Sequence, residues 1–334
     1  MNTASVFALC ALALLAACAA TPEPEAPQRQ MRQQRQVTAL AALAASAATI
    51  AAAPGTGTLP FIDAHAHLND EAMQLSLMAE HGATCAVVFW GGRSDNASVA
   101  AAAQRHADRL IAFASISPER TAYRPAWERD DPALLQQLDD LLASGRYLGI
   151  GEISAVHFPS AGFDETDFSP LSPMMAGIMA LARKHRMPVL PHVEATRLPE
   201  LSVLLERHAD VSVIWAHGGY TPLFLAQRLL QRHPNLVHEL SARSWPLHPR
   251  SPDYTVLRDG HQVWPQWLAL IEAMPQRFVI GTDASGRSRE SDAMKFASVQ
   301  NLLRQLSPAT RGPVARGNMM RLLGPRAPAG CAVP

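Results

Sequence analysis

Asp63-Ala64-His65-Ala66-His67 carries two imidazoles two positions apart, behind the apolar lead-in Leu59-Pro60-Phe61-Ile62. That lead-in predicts a β-strand, and residues two apart on a strand point to one face. Asp63, His65 and His67 would then project together. Paired imidazoles at a strand end make half of a metal site, although an isolated His-x-His also arises by chance. More ligand-type side chains follow down the chain. Glu152 lies in Gly149-Ile150-Gly151-Glu152, His192 in Pro191-His192-Val193-Glu194, His217 in Ala216-His217-Gly218-Gly219 and Asp283 in Gly281-Thr282-Asp283. Divalent ions held by such residues lower the pKa of a water and polarise a carbonyl or phosphoryl oxygen. A carboxylate beside them can do general acid–base work.

The elements that must position these residues are legible as alternation. Short apolar runs at 61–66, 84–90, 110–116, 147–153, 187–193, 211–216, 235–241 and 277–282 read as strands. Amphipathic stretches at 132–143, 173–186, 199–208, 222–232 and 289–306 read as helices between them. Continuous apolar strands alternating with helices predict a parallel sheet covered by helices. Eight strands in roughly 260 residues predict an α/β fold of the (β/α)8 TIM-barrel kind. An open doubly wound sheet would carry a Gly-rich phosphate loop after an early strand, and none is present. In a barrel, chemistry gathers at the C-terminal ends of the strands. His65, His67, Glu152, His192, His217 and Asp283 all fall at such ends.

This ordered set resembles the amidohydrolase superfamily, from about Phe61 to Leu323. The closing Ala315-Arg316-Gly317-Asn318-Met319-Met320-Arg321-Leu322-Leu323 looks like the last helix of the amidohydrolase-related (family 2) members. The resemblance implies that His65, His67 and Asp283 bind the more buried metal, and that His192 and His217 bind a second. Glu152 stands where many members carry a bridging carboxylated lysine. A glutamate there is similar to the TatD-type and phosphotriesterase-like branches. It departs from the family-2 decarboxylases, which generally lack a strand-four ligand and use one metal. The implied activity is a metal-dependent hydrolase acting on an ester, lactone, amide or phosphoester bond. Asp283 would be its acid–base group, and His217 a ligand or an acid–base partner. One or two divalent ions per chain are implied, zinc foremost, with manganese, iron and nickel suited to the same ligands. The alternatives are a one-metal decarboxylase, which is a lyase, and a non-catalytic surface-binding lipoprotein on a barrel scaffold.

Long segments follow strands three, four and seven, at about 117–131, 154–171 and 242–263, where specificity resides in such folds. Trp90, Arg93, Tyr220, Arg243 and Trp245 lie near the mouth and are candidates for substrate binding. Arg93 and Arg243 suit an anionic group, or equally internal ion pairs. Asp63 reads as structural or as support for the ligands. His157, His238, His248 and His261 have no ligand partner in this reading.

Bulk properties bound the partners. The 334 residues carry zero formal net charge, and 17% are charged. The basic footprint of a nucleic-acid binder is missing, so a small-molecule substrate is expected, not a nucleic acid. Residues 5–17 form an apolar run too short to anchor in a bilayer. It ends at Leu15-Ala16-Ala17-Cys18, which resembles a bacterial lipoprotein processing box. The expected organisation is a signal peptide over 1–18 with Cys18 lipidated, a tether over 19–57, the barrel over 58–325 and a tail over 326–334. By resemblance, Ala19 after the cysteine favours the outer membrane, with membrane contact only through the lipid. A second Ala-rich run at 37–53, behind Met31, is an alternative signal peptide that would leave a soluble periplasmic protein. Cys10 belongs to the leader, Cys85 reads as core and Cys331 as part of a loose tail. They predict neither a disulfide framework nor a paired-cysteine zinc site.

Overall fold

The computed structural model describes residues 57–116, 120–159, 165–243, 255–258 and 260–332. The expected leader, Cys18, the tether up to residue 56, Trp245 and His248 lie outside the described residues.

The chain opens with β1 (Phe61–Leu68), α1 (Glu71–His81), β2 (Ala83–Trp90), α2 (Asn96–Arg105) and β3 (Leu110–Ala112). Two helices, α3 (Arg120–Glu128) and α4 (Pro132–Ala143), precede β4 (Ile150–His157), whose far end pairs antiparallel with a short β5 (Thr166–Asp167). The alternation continues through α5 (Pro173–His185), β6 (Val189–Val193), α6 (Leu198–Arg207), β7 (Val213–Trp215), α7 (Leu223–Arg232) and β8 (Leu236–Glu239). A small antiparallel pair, β9 (Leu257–Arg258) and β10 (Gln262–Val263), is followed by α8 (Pro265–Ala273) and β11 (Phe278–Val279). The last helices are α9 (Arg289–Gln305), α10 (Pro308–Gly312) and α11 (Asn318–Leu323). Helix starts follow local chemistry: Asp70, Asp95, Asp131, Ser172 and Ser288 each cap a free backbone N–H of the helix that follows.

β1, β2 and β3 pair in order, and β11, β8, β7, β6 and β4 pair in order, all parallel. Two seams join these groups. Ala114 N–H donates to Gly149 O at 2.9 Å, and Gly151 N–H donates to Ala114 O at 3.0 Å. On the other side Ala64 N–H donates to Ile280 O at 2.9 Å and Asp283 N–H to His65 O at 2.7 Å. The strands therefore close on themselves, and the fold is a TIM barrel. The strand expected at 147–153 is shifted, running from Ile150 to His157. Residues 148–149 serve the β3 seam instead, and β5 extends the pairing beyond the mouth.

Ile62, Ala64, Val87, Phe89, Phe113, Leu190, Ile214 and Val237 fill the barrel axis, with Met319 and Leu323 of α11 packed against them. The larger core, including Phe61, Trp215, Trp267 and Phe296, lies between strands and helices. Ile62 and Ala64 occupy the axis, so strict alternation would turn His65 and His67 outward. A register shift in the β1–β2 ladder between Asp63 and Ala66 changes the parity, and both histidines enter the mouth.

Two cysteine expectations are corrected. Cys85 and Cys331 form a disulfide, 246 positions apart. The segment carrying Cys331 is docked, not loose, because that side chain is fully buried in the axial cluster. A pairing between residues so far apart has no local spacing signature.

Candidate metal centre

Each ligand-type side chain is delivered by a strand end with a particular local device. Glu152 follows a cis Gly151–Glu152 peptide in β4. A Cβ on Gly149 would sit 2.4 Å from the Phe113 ring, and one on Gly151 2.7 Å from Leu190 Cβ. Glycine at both positions lets β4 lie close to its neighbours. Past β7, the turn over 216–220 holds His217 (φ 55°), Gly218, Gly219 and Tyr220 (φ 48°) in left-handed conformation. A Cβ on Gly219 would meet Val193 O at 2.0 Å. Asp283 also has positive φ, at 53°. Such backbone in non-glycine residues persists only where surrounding contacts enforce it. At Asp283 those contacts include Lys295 Nζ donating to Asp283 O at 2.5 Å. Asp292 adds to them by accepting from the N–H groups of Ser285 at 3.0 Å and Gly286 at 2.7 Å.

The six side chains converge around Glu152. Its Oε2 lies 3.6 Å from His65 Nε2 and 3.4 Å from His67 Nε2. Its Oε1 lies 2.8 Å from His192 Nδ1 and 3.5 Å from His217 Nε2. Asp283 Oδ1 is 3.6 Å from His65 Nε2 and 3.3 Å from His67 Nε2. One carboxylate thus faces two histidine pairs with separate oxygens. In the first set His65 is fully buried while His67 and Asp283 are 24% and 21% exposed, against 2% and 4% for His192 and His217. Tyr220 stacks on the His217 ring at 5.4 Å, and the His157 ring lies 4.5 Å from that of His192, which covers the second pair.

Supporting residues set the tautomers. His67 Nδ1 is 2.8 Å from Trp90 O, so it carries the proton and leaves Nε2 as an electron-pair donor. His65 Nδ1 lies 3.2 Å from Glu239 Oε2, and His192 Nε2 lies 2.9 Å from Glu194 Oε1. A carboxylate behind a histidine is the usual support for a metal-ligating imidazole. Asp63 is fully buried and accepts from Thr282 N–H at 2.8 Å, Thr282 Oγ1–H at 2.6 Å and His65 N–H at 3.2 Å. Burial pushes its carboxyl up to about 7 in spite of these bonds.

The residues fit a divalent cation. His65 Nε2 is buried with no hydrogen-bond partner. The 3.3–3.6 Å separations among His65, His67, Glu152 and Asp283 exceed good hydrogen-bond lengths. They match the roughly 3.4 Å edge between ligands about 2.1 Å from a tetrahedral ion. Without an ion the cluster shares protons. Burial opposes charge on His67 and His192, but Asp283 and Glu152 push His67 up to about 9, and Glu152 and Glu194 push His192 to about 9. Burial likewise raises the Glu152 carboxyl, and His65 with the other imidazoles drives it well below the usual range. Asp283 is lowered by Lys295 and His67 against the same penalty.

Other expected site residues are placed differently. Trp90 contributes its carbonyl to His67, and Tyr220 stands over the second histidine pair. Arg93 is exposed, and its main-chain N–H donates to Asn69 Oδ1. Arg243 is fully buried, donates to Thr221 O at 2.8 Å and lies 4.7 Å over the Trp267 ring, so it is not open to a ligand. His157, expected to have no ligand partner, groups with His192 and Glu194. His238 is buried among Trp215, Trp267 and Phe278. Sequence reasoning passed over Glu194, Glu239 and Ser241. Position two after His192, and the polar end of β8, are the available signals.

Fold and site together define a TIM barrel with a metal-ligand cluster at its mouth. The amidohydrolase (family 2) model matches residues 62–324, and the chain belongs to that family. No curated protein matches the chain in sequence. Among solved structures, the fold is similar to an uncharacterised TIM-barrel protein from Bordetella bronchiseptica (16% identity, TM-score 0.57, covering 82% of this chain and 100% of that one). It is also similar to an amidohydrolase from Burkholderia multivorans with bound HEPES (16%, 0.50, 79% and 99%). A third is a TatD-family hydrolase from Entamoeba histolytica (13%, 0.51, 80% and 99%).

Proposed function

We propose that the protein is a two-metal hydrolase acting on an ester, lactone, amide or phosphoester bond of a small molecule. The observation that carries this reading is Glu152, whose two oxygens face separate histidine pairs. His65, His67 and Asp283 would hold one divalent ion, His192 and His217 the other, and Glu152 both.

When bound, such ions supply Lewis acidity, which lowers the pKa of a water and polarises the substrate oxygen. The chain's residues do the rest. Asp283, open to the mouth, takes the proton from the water and returns it to the leaving group. Tyr220, whose hydroxyl burial and the nearby carboxylates keep protonated, lays its ring over His217. Zinc is the ion we favour for these nitrogen and oxygen ligands. The disulfide supports an oxidising compartment, in accord with export as an outer-membrane lipoprotein anchored at Cys18. Acyl labelling that survives Cys18→Ser would overturn that anchor.

The test is elemental analysis and a panel of esters, lactones, amides and phosphoesters. The wild type should hold close to two ions per chain. Glu152→Ala should hold one or none and lose at least about a hundredfold in kcat. One ion in the wild type, with Glu152→Ala keeping both metal and activity, would instead support the one-metal decarboxylase.

A further inference from the structure

Glu239, at the end of β8, is fully buried and touches the supports of both ion positions. Its Oε2 lies 3.2 Å from His65 Nδ1 and accepts from His217 N–H at 3.2 Å. The same oxygen accepts from Ser241 Oγ–H at 2.7 Å, and Oε1 accepts from Ser241 N–H at 2.5 Å. Ser241 Oγ is in turn 2.9 Å from His217 Nδ1. The proton directions are forced. Ser241 spends its hydroxyl hydrogen on Glu239, so its oxygen accepts from His217 Nδ1–H. His65 Nδ1–H donates to the same carboxylate directly. Both rings thereby carry a proton on Nδ1 and present Nε2, which faces Glu152, as the nitrogen for an ion. The barrel makes room for this carboxylate: a Cβ on Gly281 would sit 2.4 Å from Glu239 Oε1.

We infer that Glu239 is a positioning residue that couples the two ion positions, directly through His65 and through the Ser241 hydroxyl to His217. This rests on the two-ion reading above. A glutamine cannot replace it. Its single oxygen can serve the three donors at Oε2 only by turning its amide N–H2 towards Ser241 N–H. Loss of Glu239 therefore weakens both ions, whereas loss of the Ser241 hydroxyl weakens the His217 position alone.

The test titrates the metal-free full chain with Co2+, following absorption and heat, in the wild type, Glu239→Gln and Ser241→Ala. Glu239→Gln should lose about ten- to a hundredfold in affinity for both equivalents, and Ser241→Ala a similar factor for one. Circular dichroism of the metal-free proteins separates this from unfolding, since a merely structural role would lower thermal stability and leave both affinities in place. A folded Glu239→Gln protein that binds both ions as the wild type does overturns the coupling. If that variant does not fold, Ser241→Ala decides: unchanged affinity for both ions overturns the inference, and loss at one supports it. A wild type that takes up fewer than two ions overturns the two-ion reading itself, and the coupling with it.

Discussion

Proton and metal compete for the same nitrogens. In the metal-free protein His67 and His192 hold their protons up to about pH 9, because burial is outweighed by the carboxylates around them. An ion needs those nitrogens bare. Metal binding at pH 7 should therefore release protons, and the apparent affinity should rise with pH by up to about tenfold per unit for each proton displaced. Calorimetry in buffers of different ionisation enthalpy measures the release, and a proton count of zero at pH 7 would contradict it. Asp283 gives a second expectation at this scale. Asp283→Asn should cut kcat by about a hundredfold or more even at saturating metal, and steady-state kinetics with excess ion reads that directly.

Among the elements, the turn after β7 has the least tolerance. Gly219 has φ +56°, and a Cβ there would meet main-chain Val193 O at 2.0 Å. Gly145 shares the positive φ, at +72°, but a Cβ there meets nothing within 4 Å. Gly145→Ala should cost about 1 kcal/mol from its backbone conformation alone. Gly219→Ala should cost more than about 3 kcal/mol and displace His217, because backbone cannot yield as a side-chain tip can. Urea unfolding of the two variants tests the contrast, and equal losses would sink it. The β1 register shift belongs to the same scale. It puts His65 and His67 above an apolar axis that strict alternation would have kept for their neighbours.

The whole molecule is closed by distant partners. The Cys85–Cys331 disulfide pins the C-terminal segment against β2 at the axial cluster, at the far end of the chain from the site residues of β1. Cross-linking so long a loop restricts the unfolded chain strongly. Cys331→Ser should lower unfolding stability by roughly 2–5 kcal/mol while leaving metal content unchanged. Denaturant melts with and without reductant check this, and a wild type indifferent to reductant would exclude the effect.

Much of this protein is determined locally. Apolar runs alternating with amphipathic helices specify a parallel sheet covered on both faces, and eight strands without a Gly-rich phosphate loop favour the barrel over an open doubly wound sheet. The expected helix at 132–143 is α4 residue for residue, because Asp131 and Pro132 start it by local capping. His65, His67, Glu152, His192, His217 and Asp283 were legible because a barrel brings strand ends together, so their order along the chain already implied one mouth. What lies behind them was not. Glu239 supports His65 through a contact across strands, Arg243 is buried by Trp267 and Thr221, and Cys85 meets Cys331 across 246 positions. These pairings depend on distances between residues far apart in the chain, and only the closed tertiary structure sets those distances.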